Sequence, residues 1–269
     1  MPKVSERCVN LICLLVVVLF ASCSRTAEVP SATETQQEDP PPEFHVVVIS
    51  GFDSDPTPAQ IEGGAWPGMG NSGMFQLMGD LKSKGVDCSF YNWNGTDAGH
   101  IKDKEAPGAK RIVSDMLSRA ASKPNTKFIM VGHSWGGHTL FEVAGELSAS
   151  SLVNVEIVHA AVIDASSLMR GERKKLPTNV ASLDNYFTAN MFCWGVWKDE
   201  SRVNNIELGD PQNGFMVDGQ PNYASSFDTS AHTHAEWDAK LHAEICDNIL
   251  NIVNQSSSSS KVEKSSSAK

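Results

Sequence analysis

The pentad Gly132-His133-Ser134-Trp135-Gly136 follows directly on the apolar run Phe128-Ile129-Met130-Val131. It precedes a stretch in which Leu140, Val143 and Leu147 recur at helical spacing. A serine on a sharp strand-to-helix turn holds a strained backbone, exposes its Oγ above a sheet, and has the positive end of a helix dipole beside it. Glycines on both flanks remove side chains that would collide where the chain passes close to itself. The pattern suits a nucleophile that attacks an acyl carbon. Serine is also a preferred helix N-cap, so the same residue fits a plain structural turn.

A serine nucleophile needs a base to take its proton and an acid to orient that base. Asp164 closes the mostly apolar run Val155 to Ile163 and is the first choice for the acid. It also suits a turn with Ser166 and Ser167, and Asp199, Asp218 and Asp228 are its rivals. Two histidines compete for the base, His232 and His234 in Ala231-His232-Thr233-His234, which reads as a loop before the last helix. His-x-His is also a metal-pair pattern, but no third ligand stands at a recognisable spacing, so no metal is expected. His133 and His138 flank the serine, either lining a site or packing, and His242 reads as structural on an amphipathic helix. An oxyanion needs two backbone N–H donors. Trp135, just after Ser134, is the first, and the segment Ser50-Gly51-Phe52 holds the second.

These residues need a scaffold. His45-Val46-Val47-Val48-Ile49 is a β-branched run suited to a strand buried on both faces. Met74, Leu77, Met78 and Leu81 make one helical face, ended by Gly85. Val86 to Trp93 reads as a second strand, and Ile112, Met116 and Ala120 as a helix closed by Lys123-Pro124. Phe128 to Val131 is a third strand and Val155 to Ile163 a fourth. Tyr186 to Trp194 and Asn205 to Leu208 are candidate further strands, and Leu241, Ile245 and Ile249 mark a last helix. Strands alternating with helices predict an α/β fold, a doubly wound and mostly parallel sheet with flanking helices. Ligands in such a sheet bind at the carboxyl ends of its strands, where Ser134 and Asp164 fall.

With those residues in place, the chain resembles the α/β-hydrolases, of the small bacterial lipase- and esterase-like sort. The motif Val131-Gly132-His133-Ser134-Trp135-Gly136-Gly137-His138 carries the resemblance, over essentially Phe44 to Asn254. The resemblance implies a triad in the chain order Ser134, Asp164, His232. Related proteins often have Asp-Pro where this chain has Asp164-Ala165. The segment His232-Thr233 through Asp238, Leu241 and His242 resembles their C-terminal part and favours His232 over His234. The resemblance also points to Phe52, with Gly51 close behind, as the second oxyanion donor. The implied reaction is ester hydrolysis through an acyl-enzyme on Ser134, with no cofactor. A surface binding protein that kept the fold without catalysis is the alternative; an acyltransferase on the same triad is a third reading.

The remaining sequence speaks to location. The 269 residues carry Lys+Arg 22 against Asp+Glu 32, a net charge of −10. Such a balance disfavours nucleic-acid phosphates and electrostatic docking on anionic lipid. Lys3 and Arg7 precede a run from Val9 to Ser22 that is almost wholly apolar apart from Asn10. It is shorter than the roughly 20 residues of a spanning helix and has the layout of a signal peptide. Phe20-Ala21-Ser22-Cys23 resembles a bacterial lipobox, which implies lipidation at Cys23 and membrane attachment. Ordinary cleavage with secretion and an uncleaved anchor are the alternatives. The expected organisation is a signal peptide over 1–22, a disordered tether over 23–43, a hydrolase-like domain over 44–254 and a disordered Ser-rich tail over 255–269. Cys88, Cys193 and Cys246 remain in the domain and allow at most one disulfide. The glycine-rich stretch Asp53 to Asn71 reads as a lid or one wall of an acyl pocket. Trp135, Trp194 and Trp197 serve either as apolar pocket walls or as core. The expected partner is an ester substrate, small-molecule or lipid.

Overall fold

The computed structural model describes residues 42–51, 72–93, 109–150, 155–166, 175–188, 193–197, 201–208 and 230–266. The chain divides into Met1–Asp39 and Pro40–Lys269, and every described residue lies in the second unit. The proposed signal peptide, Cys23, Phe52, the Asp53 to Asn71 stretch and the rival acids Asp199, Asp218 and Asp228 lie outside the described residues.

Among the described residues, six strands form one all-parallel sheet: β1 Glu43–Ser50, β2 Cys88–Asn92, β3 Thr126–His133, β4 Ile157–Ile163, β5 Leu183–Phe187 and β6 Val203–Glu207. Their order is β2-β1-β3-β4-β5-β6. The chain therefore reverses its direction of travel between β1 and β3, and their carboxyl ends flank a topological switch point. The register sets Val48 beside Val131 and Ile49 beside Gly132, so Ser50 and Gly51 finish next to the pentad.

Helices cover both faces: α1 Gly73–Ser83, α2 Ala109–Ser122, α3 Trp135–Ala149, α4 Ser230–Ala235 and α5 Ala239–Ser266. Alternation along the central strands decides which face each residue serves. Val46, Val48, Ile129 and Val131 pack with Met74, Leu77 and Leu81 of α1 and Leu241, Ile245 and Ile249 of α5. Val47, Ile49, Phe128 and Met130 pack with Ile112 and Met116 of α2 and Leu140, Val143 and Leu147 of α3. Burial on both faces explains why β1 and β3 read as continuous apolar runs. Among the described residues no helix is long and apolar enough to cross a membrane.

Three expectations shift. The fifth strand is Leu183–Phe187, not Tyr186 to Trp194. Asp184 and Asn185 are poor strand formers, and tertiary partners hold them there. Asn185 Nδ2 donates to the Gly195 carbonyl and to Asn205 Oδ1, and Asp184 Oδ1 accepts from Asn204 Nδ2. The His232 segment is the short helix α4, not a loop. The last helix continues as backbone helix to Ser266, through the serine run read as a disordered tail. Extending a helix from a docked first half adds one hydrogen bond per residue without a new nucleation step.

Candidate active site

Ser134 stands between β3 and α3 with φ 54° and ψ −121°. Asp164, at the end of the adjacent β4, has φ 48°. Among the described residues these two alone are non-glycine residues at positive φ. Such conformations cost of order 1–3 kcal/mol each and persist where the surrounding structure over-determines them. The surroundings here are tight. A Cβ on Gly136 would lie 2.4 Å from the Ile49 carbonyl oxygen and 2.5 Å from that of Ser50, and one on Gly132 would lie 2.7 Å from the Gly136 carbonyl oxygen. The Ser134 N–H donates to the Ile163 carbonyl (3.0 Å), and the Ser166 N–H donates to the Ser134 carbonyl (3.1 Å). The end of β4 and Ser166, three residues beyond it, thus hold the turn through the N–H and the carbonyl of the serine.

The hydroxyl does not cap the helix: Ser134 is the N-cap residue of α3 but makes no side-chain cap hydrogen bond. Its Oγ lies 2.7 Å from His232 Nε2. His232 Nδ1 lies 2.8 Å from Asp164 Oδ2. Ser134 and Asp164 are buried and the His232 side chain is 16% exposed. Three residues chosen from separate parts of the sequence therefore form one continuous hydrogen-bonded relay. Donation from Nδ1–H to the carboxylate leaves Nε2 as an acceptor for the serine proton.

Asp164 is not spent on a local turn. Its Oδ1 accepts from the Thr188 N–H (2.8 Å) and its Oδ2 from the Thr188 hydroxyl (2.7 Å) and the Cys193 thiol (3.0 Å). Burial pushes this carboxyl up. The bond from His232, the charge that the imidazole can carry and the donors from Thr188 and Cys193 outweigh it, holding Asp164 below its ordinary value and ionised. Burial, with the Asp164 charge beside it, pushes the Cys193 thiol far above its ordinary range, which keeps it a protonated donor.

His133 is buried, and its Nε2 donates to the His232 backbone carbonyl over 2.8 Å. That bond assigns the proton to Nε2 and leaves Nδ1 bare, 3.7 Å from Glu236 Oε2. Burial, then repulsion from His232, pushes His133 down to about 3, against the His232 carbonyl bond and the Asp164 charge. The ring is neutral. His138 instead faces Glu142 on its own helix at 3.3 Å. The alternative base His234 has a buried Nδ1 with no hydrogen-bond partner among the described residues.

The turn after α4 explains the segment that ends at His242. Asp238 Oδ1 accepts from the Leu241 N–H at 2.8 Å, an N-cap for α5. His242 Nε2 donates to the Glu236 carbonyl at 2.7 Å, which fits its structural reading. Trp135 begins α3, so its N–H is one of the four that point out of that helix's N-terminus. Its ring meets that of Trp93 edge-on with centroids 4.6 Å apart. Trp197 joins the buried core at 6% exposure, while Trp194 is half-buried and stacks on Phe141.

Sequence reading missed Thr188 and Cys193. Thr188 follows β5 directly, so the strand-end rule had power to flag it once the strand was correctly bounded. No local pattern marks Cys193. It arrives through an isolated antiparallel bridge to Ser166.

Comparison with known proteins returns likeness of structure. No protein-family model and no curated protein matches the chain. A Xanthomonas campestris protein described as a hydrolase of the alpha/beta superfamily is similar at 12% identity, over 76% of this chain and 98% of its own, with a TM-score of 0.42. An acetylxylan esterase is similar at 13% identity over 79% and 99%, with a TM-score of 0.41. The catalytic core domain of acetyl xylan esterase from Trichoderma reesei is similar at 13% identity over 64% and 85%, with a TM-score of 0.34. At these values the chemistry has to be read from the side chains.

Proposed function

We propose that this protein is a serine hydrolase of the α/β-hydrolase kind that cleaves carboxylic esters. One observation carries the reading: the relay from Ser134 Oγ to His232 Nε2 at 2.7 Å and from His232 Nδ1 to Asp164 Oδ2 at 2.8 Å. His232 takes the hydroxyl proton as Ser134 attacks the acyl carbon. The N–H of Trp135 and that of Phe52 hold the tetrahedral oxyanion. Ionised Asp164 stabilises the imidazolium, which then protonates the leaving alcohol, and water releases the acyl group by the reverse sequence.

The proposal extends to location. The charged, apolar and small-residue order of the first 23 residues supports export and lipidation at Cys23, with the stretch from Ser24 up to the start of β1 as a tether. The domain then works at the cell envelope.

Hydrolysis of p-nitrophenyl acetate, butyrate and octanoate by the purified protein tests the activity. The expected result is turnover of at least one ester that Ser134→Ala abolishes. Turnover equal in the parent and Ser134→Ala would overturn the role of the serine. A folded parent with no turnover of any ester would favour the binding-protein alternative.

A further inference from the structure

Three side chains with metal-binding atoms meet at the back of the relay: Asp164, Cys193 and His232. Cys193 Sγ lies 3.0 Å from Asp164 Oδ2 and 3.4 Å from His232 Nδ1, and the last two atoms are 2.8 Å apart. Sulfur, imidazole nitrogen and carboxylate oxygen form the donor set of zinc and cadmium rather than of magnesium or calcium. Tetrahedral bonds of ordinary zinc length put such donors about 3.3–3.6 Å apart. To reach that spacing the two pairs that include Asp164 Oδ2 must each open by about 0.6 Å and the sulfur–nitrogen pair by about 0.2 Å. Cys193 and His232 are partly exposed, so a cation approaches past them to the buried carboxylate.

The geometry points to an inhibitory site for a thiophilic divalent cation, formed by Cys193 Sγ, His232 Nδ1 and Asp164 Oδ2. Binding breaks the S–H bond and releases that proton to solvent, and the sulfur electron pair goes to the ion. On His232 the Nδ1 proton leaves for solvent, a proton is taken up at Nε2, and the Nδ1 lone pair binds the ion. The balance is one proton released per ion. Nε2 then carries hydrogen and faces Ser134 Oγ as a donor, so it can no longer accept the serine proton. The ion also occupies the carboxylate that stabilises the imidazolium. The ion silences the relay without touching the serine. Inhibition as the consequence rests on the proposed hydrolase function; coordination does not.

Cobalt and zinc serve as probes on the purified protein. Cobalt binding should give a near-ultraviolet thiolate-to-cobalt charge-transfer band that zinc displaces and that Cys193→Ser lacks. Zinc should inhibit ester turnover in the parent, and Cys193→Ser, referred to its own uninhibited rate, should need roughly tenfold more zinc or beyond. The cobalt band in a protein that turns over no ester would support the site while the hydrolase reading fell. Ester turnover that zinc leaves unchanged, with no thiolate band on the parent, would overturn the site while the hydrolase reading stood. Equal zinc inhibition of the parent and Cys193→Ser would also overturn it.

Discussion

His133 donates from Nε2 to the backbone carbonyl of His232 over 2.8 Å, and the two rings lie tilted against each other with centroids 4.9 Å apart. The residue before the serine therefore holds the residue that approaches the serine, across a sequence separation of 99. Helix α4 is short, and short helices draw their stability from tertiary contacts. Removing the anchor in His133→Ala should lower kcat by up to about a hundredfold through misplacement of the base, with KM changing far less. His133→Gln, which keeps a donor, should recover part of the loss. Steady-state kinetics on both variants checks this, and equal losses in the two would argue against an anchoring bond.

The same histidine predicts how stability responds to acid. His133 is pushed down to about 3 in the fold and titrates near 6.5 when exposed. Its native pKa is depressed, so between those values the unfolded chain binds a proton that the native chain refuses. This residue's contribution therefore weakens as pH falls from 6.5 toward 3, at up to about 1.4 kcal/mol per pH unit. The groups facing the ring are His232, Asp164 and Glu236. Denaturant unfolding from pH 7 to pH 4 should show a shallower decline in His133→Gln than in the parent. Parallel declines would contradict a buried neutral ring.

Asp164 sets the tautomer of His232, and Thr188 joins His232 and Cys193 in holding Asp164 ionised. Asp164→Asn should keep the fold and lower kcat by about 10⁴, because the amide can donate to Nδ1 and so favours the wrong tautomer. Thr188→Val removes one hydroxyl donor and leaves the N–H in place. Its expected loss is smaller, with a stability cost of about 1–3 kcal/mol for the under-satisfied buried carboxylate. Kinetics beside thermal unfolding separates the two effects.

Gly136 and Gly79 make a matched pair. Gly136→Ala places a methyl 2.4–2.5 Å from two backbone oxygens of β1, so either the elbow or the strand must move. A loss of several kcal/mol, or failure to fold, is expected. Gly79 lies inside α1, and a Cβ there meets nothing within 4 Å. Gly79→Ala should gain roughly 0.5–1 kcal/mol from helix propensity. Melting temperatures of the two variants against the parent check both signs.

What the sequence makes legible follows from what each feature depends on. Strands β1, β3 and β4 are buried on both faces, so their apolar runs announce them; β5 is held by side-chain amides and its pattern hides it. Ser134 is readable because a strained turn needs glycines at fixed offsets, and Asp164 because it ends an apolar run. His232 is less so: only a resemblance separated it from His234, and the geometry rests on a carbonyl anchor that no local pattern encodes. Thr188 and Cys193 reach Asp164 through tertiary contacts alone, from beyond the end of β5.

The central claim is that Ser134 is an activated nucleophile. The most direct measurement is fluorophosphonate labelling of the purified protein, read by intact mass and by peptide mapping, beside Ser134→Ala and His232→Ala. The account predicts a single adduct on Ser134 in the parent, none in Ser134→Ala, and labelling slowed by orders of magnitude in His232→Ala. An adduct on another residue, or none on a folded parent whose relay is intact, would contradict it.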